Sequence, residues 1–171
     1  MTAAQRRTAI YKQLTTAQTP ISATALAQQF SVTRQVVVGD IALLRAEGHS
    51  ITATPRGYMI PAETGLRRTI ACHHSGEDTQ KELFAMVDCG CTVVDVIVEH
   101  PVYGQLSGQL QVFSRYDADV FWDALQKNGA QPLCSLTGDI HLHTLVCPDE
   151  ARKARVLAAL EEKGYLMGLE K

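Results

Sequence analysis

No stretch of this 171-residue chain is apolar for long enough to cross a bilayer, which excludes a membrane-spanning reading. The opening residues, MTAAQRRTAIYKQ, are too polar for a secretory signal, so the expected location is the cytoplasm. There is no C-x-x-C pair of the zinc or redox kind. The five cysteines are odd in number, and with Cys89 and Cys91 separated by one glycine they fit no secreted disulfide framework. Their expected role is that of small hydrophobes in the core. Internal repeats and low-complexity tracts are also missing. Acidic residues are scarce before residue 60: Asp40 and Glu47 face Arg6, Arg7, Lys12, Arg34, Arg45 and Arg56, a net +4. The remainder has ten basic and sixteen acidic residues, a net −6. A basic segment joined to an acidic one is what a nucleic-acid-binding module fused to a different module shows.

What the first segment does have is helical periodicity in three pieces. Ile10, Leu14 and Ala17 follow one face of a first helix, which the stretch from Thr16 to Pro20 ends. Ser22 is placed to cap a second helix with Leu26 and Phe30 on one side. Ser31 or Thr33 can cap a third, Arg34 to Glu47, with Val37, Ile41, Leu43 and Leu44 supplying core positions and Gly48 ending it. Two helices joined by so tight a turn, the second rich in Thr, Arg and Gln at its start, match a helix-turn-helix. His49 to Ile60 then reads as two short strands around Pro55-Arg56-Gly57, a wing with a basic tip. The segment resembles the winged helix-turn-helix of many bacterial repressors in "SVTRQVVVGDIALLRAEGH" followed by "RGY". That resemblance implies that Thr33, Arg34, Gln35 and Val38 lie in or beside the DNA major groove, with Arg56 near a phosphate or the minor groove. Relatives commonly carry a basic residue just before the Asp-Ile pair, where this chain has Gly39.

Residues 61–66 form a linker of turn formers, and the second domain is expected over 67–171. Its pattern predicts strands over 67–73, 92–99, 105–113 and 139–147 and helices over 77–87, 117–126 and from about 149 to 163. The whole is an α+β protein: the winged helix-turn-helix, then an α/β sandwich with a largely antiparallel sheet covered by helices.

Five of the six histidines follow residue 70. His141 and His143, two apart on a strand, share a face, and His74 and Glu82 could converge on them, so a site of three nitrogens and one carboxylate is feasible. An H-x-H pair taken alone is more often structural. The strings "VVDVIVEHPVYG" (93–104), "GDIHLHTL" (138–145), "KEL" (81–83) and "KGYL" (163–166) add to it, and with them the chain resembles the NiaR family of nicotinate-responsive repressors of NAD biosynthesis, whose C-terminal module is the three-histidine (3H) domain.

The resemblance implies a repressor of NAD-biosynthesis or nicotinate-uptake genes, acting as a homodimer on double-stranded operator DNA with nicotinic acid as co-repressor. It implies a divalent transition metal held by His74, Glu82, His141 and His143. His73 competes with His74 for the first position, and the spacing to Glu82 favours His74. N/O ligands suit Zn, Ni, Fe, Mn or Co. His100 is read either as a turn-stabilising group or, with Tyr103, as an effector-pocket or outer-sphere residue, while Gly104 serves the turn. The alternatives are a regulator that senses the metal itself and a metalloenzyme fused to a DNA-binding domain; for the enzyme no free general base stands near the motifs.

Overall fold

The computed structural model describes residues 1–61 and 64–168 and divides into two compact units, 1–62 and 63–171. Part of the expected 61–66 linker lies outside the described residues, and Leu66 already belongs to a strand.

In the first unit, α1 (Ala3–Thr16), α2 (Ala23–Gln29) and α3 (Arg34–Ala46) are followed by β1 (Thr52–Thr54) and β2 (Gly57–Met59). Each helix starts where a side chain takes up an orphan N–H: Thr2 accepts from Gln5, Ser22 from Ala25, and Thr33 from Val36. Such a cap contributes about 1 kcal/mol. Of the two candidates for capping α3, Thr33 does so, while Ser31 takes a left-handed backbone (φ 53°) in the turn between the helices. Ile10, Leu14, Leu26, Val37, Ile41 and Leu44 close into one core; Leu43, expected to face it, is 50 % exposed. The wing is tied down through Gly57. A Cβ at this position would collide with the Ile21 backbone, whose N–H and C=O exchange hydrogen bonds with Tyr58 at 2.9 Å each.

The second unit runs β3 (Leu66–His73), a 3-10 turn (76–78), α4 (Thr79–Asp88), β4 (Thr92–His100), β5 (Gly104–Val112), α5 (Arg115–Lys127), a second 3-10 turn (133–137), β6 (Ile140–Cys147) and α6 (Glu150–Glu162). The sheet has the order β3-β6-β4-β5 with every pairing antiparallel. Residues of α4, α5 and α6 share a core with Ile70, Cys72, Val93, Val96, Leu110, Val112 and Leu145 of the sheet. Short apolar strands and helices were visible in the sequence; the 133–137 turn, lacking periodicity, was not. A register shift between Val93 and Asp95 bulges β4. All five cysteines are buried, as expected of them, but two are joined: Cys91 and Cys147 form a disulfide that the cysteine pattern had not suggested, because the strand end and the turn that carry them are 56 residues apart. Among the described residues no helix is long and apolar enough to cross a membrane.

Candidate metal and effector site, and the DNA-binding face

Antiparallel pairing of β3 with β6 sets Cys72 opposite His141 and Ile70 opposite His143. Strand alternation then turns all four side chains toward the helices. The turn before β6 has both Gly138 and Asp139 in the left-handed region (φ 64° and 69°), which aims the strand so that "HLH" begins at its second residue. Glu82, in the first turn of α4, comes down onto the same spot and is fully buried. His74 follows directly on β3 and completes the cluster. Of the two adjacent histidines, His74 is buried there, whereas His73 is exposed and its backbone N–H donates to the Tyr165 carbonyl at 2.9 Å.

The ring nitrogens divide into two sets. Each Nδ1 faces a backbone carbonyl: His74 that of Ser75 at 2.8 Å, His141 that of Asp139 at 2.9 Å, and His143 that of Asp95 at 2.7 Å. A carbonyl only accepts, so all three Nδ1 atoms carry the proton. Asp95 sits at the β4 bulge, and its carboxylate also accepts from the Thr144 N–H at 2.9 Å, which fixes the carbonyl on which His143 leans. All three Nε2 atoms then converge on Glu82, at 2.8 Å from His74, 3.2 Å from His141 and 3.2 Å from His143. With Nδ1 protonated, a neutral imidazole presents a lone pair from Nε2 to the oxygens of an anion. The cluster must either hold buried imidazolium or bring lone pairs together, and a divalent cation among these atoms would remove the conflict. Histidines that donate Nδ1–H to carbonyls and turn Nε2 inward are oriented as metal ligands are. The donor set therefore fits the transition metal that the resemblance implies.

The charges agree with this balance. Burial alone would raise the Glu82 pKa, but the surrounding imidazoles outweigh it and hold the carboxyl well below its ordinary value. Burial would likewise lower His74 and His143, and Glu82 reverses that, raising both. Burial, reinforced by Glu82, pushes the neighbouring Cys72 thiol up.

Beside the cluster lies a small cavity with walls from Leu83, Val96, Leu110, Phe121 and Leu133, and with Glu82, His141, His143 and Thr79 supplying its polar groups. Thr79 Oγ1 is buried and has no hydrogen-bond partner. Nothing in their spacing marks Thr79 or Phe121, and Cys72 is expected only as a small hydrophobe of the core. Tyr165, whose ring lies 4.8 Å from that of His74, stands in the quoted "KGYL" string but was given no role. His100 and Tyr103 are elsewhere. His100 Nδ1 accepts the backbone N–H groups of Val102 and Tyr103 at 3.2 and 3.3 Å, so its imidazole stabilises the β4–β5 turn. Of the two readings of His100 this is the turn-stabilising one; Tyr103 is 73 % exposed and packs on His100, and neither residue lines the cavity.

In the first unit, Thr33, Arg34 and Gln35 are exposed at the N-terminal end of α3 and Val38 is half-buried one turn on, as a recognition helix requires. The Thr33 hydroxyl is engaged as the α3 cap. Arg56 lies at the wing tip, half-buried. Part of the positive charge is internal business: Arg6 binds the buried Asp40 through two nitrogens (2.6 and 3.3 Å), Arg7 approaches Asp40 and Glu47, and Arg45 donates to the Ile51 carbonyl at 2.8 Å. These pairings show which cations Asp40 and Glu47 offset, and the net +4 stands.

Comparison with known proteins joins both halves. Residues 6–59 match the HTH domain model and residues 67–169 match the 3H domain model. The chain is 40 % identical over 164 residues to "Probable transcription repressor NiaR" of Thermotoga maritima, covering 95 % of this chain and 94 % of the relative. It belongs to the NiaR/NadR family of transcription repressors. "Transcription repressor NadR" of Bacillus subtilis is also 40 % identical, over 169 residues, with 96 % and 94 % covered. A member of this family is a DNA-binding regulator and not an enzyme, so the metalloenzyme alternative falls away.

Proposed function

We propose that this protein represses genes of NAD biosynthesis or nicotinate uptake, binding operator DNA as a homodimer with nicotinic acid as co-repressor. His74, Glu82, His141 and His143 would hold a divalent transition metal. The observation that carries the reading is the convergence of three Nε2 atoms on one buried carboxylate at the edge of an apolar cavity.

His74, Glu82, His141 and His143 would hold the metal, which would supply a Lewis-acidic position for a carboxylate. The remaining work falls to the chain itself. Leu83, Val96, Leu110, Phe121 and Leu133 offer a water-poor wall suited to a pyridine ring. The Ser75, Asp139 and Asp95 carbonyls keep the three imidazoles in the tautomer that points Nε2 inward. Thr79 Oγ1 offers a hydrogen bond that no protein group uses. Binding to one dimer arrangement in preference to another would shift operator affinity by that difference in free energy.

The test is isothermal titration of nicotinic acid into metal-loaded protein, with nicotinamide and a chelator-stripped sample as controls. Saturable binding of nicotinate that disappears on stripping supports effector and site together. No binding to loaded protein overturns the co-repressor reading, and metal-dependent operator binding without nicotinate would then favour the sensor.

A further inference from the structure

We infer that Cys72 is a fifth ligand of the metal site, giving it a thiolate donor beside the three imidazoles and the carboxylate. This rests on the metal reading above and adds to it a residue outside the ligand set that the family resemblance implies. Cys72 Sγ, a Glu82 carboxylate oxygen and a His141 ring nitrogen all lie within 4.8 Å of one another, and His74 and His143 join this group through Glu82, at 2.8 and 3.2 Å from it. Donors bonded to one ion at about 2.0–2.3 Å stand no more than about 4.6 Å apart, so the three atoms need to contract little to share one.

The placement follows from the fold. Cys72 is the cross-strand partner of His141, and one residue separates it from His74. On a pleated strand that puts its side chain on the face where His141 and His143 stand, under Glu82. Cys72 is a free thiol, while Cys91 and Cys147 pair with each other. The segment Tyr165–Met167, paired with β3 through Cys72 and Leu166, lies alongside and leaves Cys72 without solvent exposure. A buried thiol among imidazole and carboxylate donors becomes a metal ligand by giving up its proton to solvent as the metal–sulfur bond forms. A soft donor of this kind favours Zn, Co or Ni over Mn.

Cobalt(II) titrated into the chelator-stripped full-length protein tests this. The expected spectrum combines visible ligand-field bands with an intense sulfur-to-cobalt charge-transfer band in the near ultraviolet. In Cys72→Ala, checked for folding by circular dichroism, the visible bands remain, the near-ultraviolet band is lost, and Co(II) binds more weakly by more than the roughly 10–100-fold seen on losing an outer-sphere partner. Cys134, a free thiol that lines the neighbouring cavity, provides the control: Cys134→Ala keeps the band. Visible bands with no charge-transfer band in the unmodified protein would overturn the inference and make Cys72 only a neighbour of Glu82, as would a band that survives in Cys72→Ala. A protein that takes up no Co(II) at all, with no bands in either region, would instead overturn the metal reading on which the inference stands.

Discussion

His74 Nε2 lies 2.8 Å from Glu82 Oε2 inside a cluster with almost no solvent exposure. Without metal the pair is held by charge, so its contribution to stability depends on pH. Glu82 titrates below its ordinary 4.5, so its stabilisation is present above 4.5 and is lost as pH falls through the depressed value. His74 and His143 titrate above 6.5, so theirs is full below 6.5 and fades as pH rises through the raised values. The contribution of the cluster therefore peaks between pH 4.5 and 6.5. Melting midpoints of the chelator-stripped protein across pH 4 to 9 are expected to show that maximum, and Glu82→Gln to flatten it. A profile unchanged by Glu82→Gln would show that the cluster is not coupled.

The switch should separate from DNA binding. A His141→Ala, His143→Ala double variant removes two of the converging nitrogens while leaving the first unit untouched. It is expected to keep basal operator affinity and to lose the nicotinate response in a mobility-shift or anisotropy titration. An intact response would remove the site from regulation.

Thr79 offers a sharper case, because stability and binding should move in opposite directions. Its hydroxyl is buried without a partner, a state that costs about 1–3 kcal/mol. Thr79→Val, of nearly the same shape, should therefore melt at the same temperature or higher in the absence of effector. If the hydroxyl donates to nicotinate, the same variant should bind it about tenfold more weakly, the loss expected for one hydrogen bond to a charged group. A variant that melts lower would show that the hydroxyl has a protein partner after all.

These sites differ in how far the sequence could announce them. Strand alternation alone put His141 and His143 on one face, and helix capping marked Ser22 and Thr33, because both depend on neighbours a few residues away. Cys72 and Thr79 became visible only once β3 was registered against β6 and α4 was laid across them, contacts that span about sixty residues of chain. The Cys91–Cys147 pairing was hidden for the same reason. His100 shows the opposite limit. It stands in a family-like string, yet the structure spends its imidazole on two backbone N–H groups of the adjacent turn. Arg6 is a similar case, since it looks like a phosphate ligand until the buried Asp40 is seen to hold it.

Gly39 brings this last point to a measurement. It is exposed on α3, one residue after Val38, and a Cβ built on it meets nothing within 4 Å. A side chain there would cost no packing and would remove the backbone freedom that makes glycine about 1 kcal/mol worse than alanine inside a helix. Gly39→Ala should therefore raise the melting midpoint of the first unit without changing how DNA binding depends on salt. Gly39→Lys should do the same and also add one phosphate contact, steepening the slope of log affinity against log salt by about 0.9. Against a net charge of +4 for the first unit, one added cation is a large fraction of what reaches the DNA, so the change should be readily measured. If Gly39→Lys stabilises the helix but leaves the slope alone, this face of α3 does not meet the DNA backbone, and the docking expected for Thr33, Arg34 and Gln35 would have to be rotated about the helix axis.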